Sequence, residues 1–165
     1  VDTRDLGGGV KKWEWIKKGV PIRIEVGPRD VETRKICVQR RDQAFGEKQF
    51  PDREEFLQTV TDLLDQIHVS LLTKATAFRD ENIIPCEDLA AFEAHWKNDG
   101  AGWLYTPWAG TPEEEEEISK RLKITIRCIP VAEAKLPAAI EGKSGGKCFL
   151  TGREATAWAI WGRSY

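Results

Sequence analysis

Residues 19–30 read Gly19-Val20-Pro21-Ile22-Arg23-Ile24-Glu25-Val26-Gly27-Pro28-Arg29-Asp30, and their middle alternates with a period of two. Ile22, Ile24 and Val26 fall on one side and Arg23 and Glu25 on the other, the pattern of a half-buried strand over 21–26. Gly27-Pro28-Arg29-Asp30 then supplies turn chemistry. A second strand is expected over 35–41, with Ile36 and Val38 on its apolar side, so the two should form a hairpin or a neighbouring pair. Upstream, Leu6-Gly7-Gly8-Gly9 reads as a flexible entry loop.

Downstream the period changes. Pro51 precedes Asp52-Arg53-Glu54-Glu55, which has capping-box spacing. Phe56, Val60, Leu63, Leu64, Ile67, Leu71, Ala75 and Phe78 follow at three- and four-residue steps. The spacing predicts one helix of about 40 Å, ending near 79–82, whose apolar stripe covers the sheet. A shorter helix is expected over 87–97, with Leu89, Phe92 and Trp96 inward and Gly100 as its stop. A strand over 102–108 follows. Thr111-Pro112-Glu113-Glu114 then opens another helix, with Thr111 as N-cap and Glu114 closing a capping box. The acidic run 113–117 fits the positive end of that helix, and Lys120, Arg121 and Lys123 fit its other end. A strand over 124–129, a mobile loop over 131–146 and a final pair of short strands at 148–150 and 157–161 complete the pattern. Helices and strands intermix, so the fold class is α/β (α+β).

The chain has 165 residues, 41% hydrophobic and 32% charged, enough for a real core in one or two small domains. No apolar stretch approaches the roughly 20 residues that span a bilayer, and no signal peptide opens the chain. Methionine is absent, which leads us to expect a fragment or a processed chain; a Met-free body that lost only its initiator is the alternative. Net charge is −2, but residues 1–50 carry 12 basic and 8 acidic groups while the remainder carries 13 and 19. Such asymmetry fits a polyanion contact confined to the first third, or equally a solvated basic surface.

Chemistry is sparse. Gly7-Gly8-Gly9 lacks the Lys-Ser/Thr of a phosphate loop, and no Gly-x-Ser-x-Gly elbow is present. His68 and His95 sit on predicted helices as surface or core-edge residues. Cys37, Cys86, Cys128 and Cys148 stand singly, so free thiols are expected. Cys128 and Cys148 lie beside late strands, but two thiolates cannot close a tetrahedral zinc site, and Thr151 stands where a second close ligand would be. Of the seven tryptophans, Trp13 and Trp15 lie on a Lys-flanked segment suited to base stacking; Trp96, Trp103, Trp108, Trp158 and Trp161 are expected in the core.

The run from Trp13 to Asp30, with Gly19-Val20-Pro21 and Glu25-Val26-Gly27-Pro28-Arg29-Asp30 at its centre, resembles prolyl-tRNA synthetases of the archaeal/eukaryote-like form, which some bacteria also carry. Val38-Gln39-Arg40-Arg41-Asp42 fits the next strand of that family's anticodon-binding domain. Thr125-Ile126-Arg127-Cys128-Ile129-Pro130 resembles the entry to its C-terminal domain, and Trp161-Gly162-Arg163-Ser164-Tyr165 resembles that domain's end. The resemblance implies an anticodon-binding domain over 1–82, a mixed sheet with helices that lacks a strand and a helix at its N-terminus. It implies a small α+β C-terminal domain over 83–165. Family members often hold zinc through four cysteines; here Cys128 and Cys148 would be remnants of that site, and no metal is expected.

The function implied is binding of the proline tRNA anticodon, with Arg23, Glu25, Arg29, Arg40, Arg41 and Lys48 as contacts. Unstacked anticodon bases expose their edges, a carboxylate such as Glu25 accepts from guanine, and arginines pair with phosphates or base acceptors. The plainer reading of Arg23 and Glu25 is a surface ion pair worth about 0–1 kcal/mol. By resemblance, Tyr165 reaches toward the active site of the parent enzyme. That parent would be a cytoplasmic, homodimeric ligase joining proline to its tRNA with ATP and magnesium in its own catalytic domain. None of those cofactors is expected on these residues, no ligase activity is expected of them alone, and no membrane partner is expected. The competing reading is a stand-alone interaction domain that has kept the fold and lost tRNA binding.

Overall fold

In the computed structural model, which describes residues 1–163, the glycine run expected as a loop instead opens a helix, α1 (Gly8–Lys17). Gly7 supplies its carbonyl to the amides of Val10 and Lys11. Two glycines in a first turn cost about 1 kcal/mol each relative to alanine, and side chains offset this. Asp2 accepts from the Trp15 indole at 2.8 Å, and Arg4 pairs with Glu14 at 2.7 Å. The helix ends where Gly19 takes φ +83°, with the Gly19 amide on the Ile16 carbonyl and the Val20 amide on the Trp15 carbonyl. That pair of bonds is a Schellman motif, which needs the left-handed conformation glycine adopts without strain.

The chain divides into two compact units, the first Val1–Ala75 and the second from Thr76 onward. In the first, β1 (Ile22–Glu25) is followed by a six-residue helix, α2 (Pro28–Thr33), where only a turn is expected. Pro28 at its first position and the Asp30 carboxylate on the Gly27 amide at 2.7 Å explain it. The chain returns as β2 (Cys37–Arg40), antiparallel to β1 with Arg23 opposite Gln39 and Ile24 opposite Val38, as the hairpin reading expects. Helix α3 (Arg53–Asn82) follows. Its first turns pack Phe56, Val60 and Leu63 on Ile22, Ile36 and Val38, so the stripe covers the sheet there. Leu64, Leu71 and Phe78 of the same stripe stay exposed.

The second unit has a four-stranded sheet in the order β3-β4-β6-β5. Strand β3 (Ile83–Pro85) runs parallel to β4 (Trp103–Trp108), between them lies α4 (Leu89–Lys97), and α5 (Pro112–Leu122) precedes β5 (Ile124–Cys128). Strand β6 (Ala157–Arg163) pairs antiparallel with both β4 and β5. Leu104, Trp108, Ala159, Trp161 and Ile124 alternate onto one face, where Phe92, Trp96, Ile118 and Leu122 of the two helices cover them. Thr111 and Glu114 form the expected capping box. The opposite face holds Tyr105 and Trp158 under Ile140, which is fully buried. The segment 131–146 is therefore tied down rather than free. Trp158 donates its indole N–H to Gly145, and Lys143 pairs with Glu87. Residues 148–150 form a turn rather than a strand, with the Gly152 amide bonded to the Cys148 carbonyl. The architecture as a whole is mixed α/β. Among the described residues no helix is long and apolar enough to cross a membrane.

Candidate nucleic-acid interface

The antiparallel register decides which charged groups share a face. Side chains directly opposite in a pair point the same way, and each step along a strand reverses them. Arg23, Glu25 and Gln39 therefore have one parity, and Arg41 lies in the turn just after β2. Ile22, Ile24, Val38 and Arg40 have the other, the parity that meets α3.

On the polar face Arg23 donates from Nη2 to the Gln39 side chain and sits 3.4 Å from Glu25 Oε1. Gln39 donates to the same carboxylate oxygen at 3.3 Å, and Lys48 Nζ lies 3.5 Å from the other oxygen. Glu25 is thus ringed by three donors, all at the long end of hydrogen-bonding distance. Arg41 donates Nη1 to the Ile16 carbonyl at 2.8 Å, placing a cation at the negative end of α1. Arg23, Gln39, Arg40 and Arg41 line a cleft of about 380 Å³ together with Trp15 and Phe45. Arg29 is exposed in the first turn of α2.

Arg40 is placed differently. Its guanidinium makes a two-bonded pair with Asp42, Nε to Oδ1 at 2.9 Å and Nη2 to Oδ2 at 2.8 Å. Both side chains are largely buried. Arg40, with burial opposing, holds the Asp42 carboxyl below the usual carboxylate range, and Ser70 of α3 adds to this. Lys74 of α3 donates to the Asp42 carbonyl at 2.5 Å. The pair pins the end of β2 to α3 and occupies the Arg40 guanidinium, although Arg40 still lines the cleft beside Arg23 and Arg41. Gln39 is the member of the polar face which the sequence reading omits, although its alternation with Val38 was there to find it.

Cys128 and Cys148 do not fit a shared metal site. Cys128 is exposed and registers with Ile160 on the Tyr105 face of the sheet, whereas Cys148 is buried in the opposite core. Burial opposes ionisation of Cys148, but hydrogen bonds from Thr151 and from backbone amides outweigh it and lower its pKa. Among the described residues no three candidate ligands come together. His68 is exposed on α3, and His95 packs edge-on against Trp96 at 4.7 Å. Trp96, Trp108, Trp158 and Trp161 are buried, as expected. Tyr165 lies outside the described residues.

Two family models match the chain: residues 1–63 match an anticodon-binding domain, and residues 90–165 match the C-terminal domain of prolyl-tRNA synthetase. The chain carries an anticodon-binding domain and a prolyl-tRNA synthetase C-terminal domain. A proline–tRNA ligase of Akkermansia muciniphila is 49% identical over 166 residues, which cover all of this chain and 32% of that protein. One from Protochlamydia amoebophila is 40% identical over 174 residues, and one from Bdellovibrio bacteriovorus is 34% identical over 168, with the same coverage. The chain thus spans about a third of the length of these curated bacterial relatives. The polar hairpin face, Glu25 and its three donors included, falls inside the anticodon-binding match.

Proposed function

We propose that the polar face of β1 and β2 reads the anticodon of the proline tRNA. The observation that carries this reading is the convergence of Arg23, Glu25 and Gln39 on one face, with Lys48 on Glu25 and Arg41 beside them. Anticodon bases are unstacked, so their edges are open to side chains. Glu25 accepts from the N–H groups of a guanine edge. Its present donors stand at 3.3–3.5 Å, long enough for a guanine to replace them at small cost. Arg23 and Arg41 offer planar donor forks to base acceptors, while Lys48 and the exposed Arg29 meet phosphates. Arg40 acts through Asp42 as a positioning residue.

The wider reading follows the same line. These residues belong to a ligase of the archaeal/eukaryote-like form, with an anticodon-binding domain over 1–82 and a C-terminal domain over 83–165. Its catalytic domain, using ATP and magnesium, lies outside them and carries the dimer contact. The enzyme works in the cytoplasm, and these residues alone have no ligase activity.

Filter binding to the proline tRNA, and to the same tRNA with its anticodon guanines altered, tests the reading over a salt series. Tighter binding to the proline anticodon, lost in Glu25→Ala and Arg41→Ala, is expected. Equal, salt-sensitive binding to both RNAs would leave only non-specific charge contacts. No binding to either would favour an interaction domain instead.

A further inference from the structure

Outside the hairpin face, α1 presents a feature that the reading above does not use. Trp13 is 52% exposed and Phe45 is 69% exposed. The two rings nonetheless lie nearly parallel, 5.4 Å apart with 12° between their planes. Lys12 Nζ stands 4.2 Å from the Phe45 ring centre, a cation–π brace from the same helix. Two aromatic rings held in a fixed orientation in water keep a large apolar area hydrated, and a partner that covers them recovers it.

The surroundings say what that partner is. Gly9 one turn before Trp13 and Lys17 one turn after it, with Val10 and Glu14, line an open shelf against the indole. Gly9 adds no side chain there, and a methyl at that position would meet nothing within 4 Å. The charge of Glu14 is taken up by Arg4 at 2.7 Å. Lys11, Lys12, Lys17 and Lys18 all belong to this short segment. A flat aromatic face edged with lysines suits a nucleobase whose phosphate meets an ammonium, the arrangement by which single strands are held without base-edge contacts. Phe45 also lines the cleft that contains Arg23 and Arg41, so the shelf continues the polar hairpin face.

We propose that Trp13 is a stacking platform for one RNA base flanking the anticodon, with Phe45 supporting the indole and Lys17 meeting the adjoining phosphate. This rests on the anticodon-reading role of the hairpin face. Trp13 would add affinity without choosing the anticodon, because every base has a stacking face.

The test is a titration of the 165-residue chain with a fluorescent anticodon stem-loop of the proline tRNA, intact or with one loop nucleotide at a time made abasic. Trp13→Ala should weaken binding five- to hundredfold, and Trp13→Phe should restore most of it. One abasic position outside the anticodon guanines should weaken the wild-type chain by the same factor and have no further effect on Trp13→Ala. Unchanged binding by Trp13→Ala, with anticodon discrimination intact, would overturn this proposal alone. Indifference of the wild-type chain to the anticodon would overturn the hairpin reading and this one with it. A wild-type dimer that Trp13→Ala converts to monomer in sedimentation, with RNA affinity unchanged, would assign the shelf to a second copy of the chain.

Discussion

Replacing Asp42 with Asn should loosen the hairpin without touching any residue proposed to meet RNA. The Asp42 side chain is 4% exposed and accepts two bonds from Arg40, at 2.9 and 2.8 Å. An amide can accept only one of them and would point a donor at the other. The guanidinium, 13% exposed, would then be left largely buried and half-paired. Breaking a buried pair from one side costs about 3–5 kcal/mol, and the lower figure suits a pair with some exposure. At 1.4 kcal/mol per factor of ten, a 3 kcal/mol loss speeds exchange through opening more than hundredfold. Hydrogen exchange of the Val38 amide, bonded to the Gln49 carbonyl at 2.9 Å, reads it directly in the first unit. The pH dependence has a fixed sign. Asp42 has its pKa lowered by Arg40, so its contribution is complete above the unfolded carboxylate value near 4 and fades as pH falls through the lower folded value. The deficit of Asp42→Asn should be full at pH 7 and shrink below about pH 4. A change under threefold at pH 7, or a deficit that grows on acidification, would refute the assignment of Arg40 to structure.

Two further outcomes follow from geometry elsewhere. Lys123 closes α5 in the left-handed region at φ +58°, so Lys123→Gly should stabilise the second unit by about 0.5–1 kcal/mol, visible as a raised melting temperature, and a loss would show that the Lys123 side chain holds the turn. Cys128 should react at once with a thiol reagent in the folded chain, whereas Cys37 and Cys148 should wait for unfolding; equal rates for Cys128 and Cys148 would contradict the packing of the 148–152 turn.

Much of the fold is legible because two periods run through the chain. The period of two in β1 and the three- and four-residue steps of α3 and α4 are written in apolar residues that do pack, Val38, Phe56, Phe92 and Trp96 among them. The capping box of α5 is legible because it is local: Thr111 and Glu114 need only each other. Helix α1 is hidden for the converse reason. None of its residues is buried, so no apolar stripe marks it, and its stabilising partners Asp2 and Arg4 lie outside it. Its stop was nevertheless spelled out, since Gly19 followed by Pro21 is the ordinary ending of a helix. The 148–152 turn misleads because Cys148, Phe149 and Leu150 are apolar without being a strand; they fill the core from a loop.

The candidate site shows where composition stops and register begins. Arg40 and Arg41 are chemically identical and adjacent, and both qualify as RNA contacts on residue type. Arg40 ends β2 and Arg41 opens the turn that follows; both line one cleft, but the Arg40 guanidinium is taken by Asp42. Once Val38 is assigned to the core, Arg40 shares its parity, and Gln39 shares that of Arg23 and Glu25. An arginine this buried needs a carboxylate, and Asp42, in the turn two residues on, supplies it. The Arg40–Asp42 pair thus depends on the alternation of β2 together with the turn that follows it. What separates Arg40, held by Asp42, from Gln39 beside it is register, which the list of charges does not show.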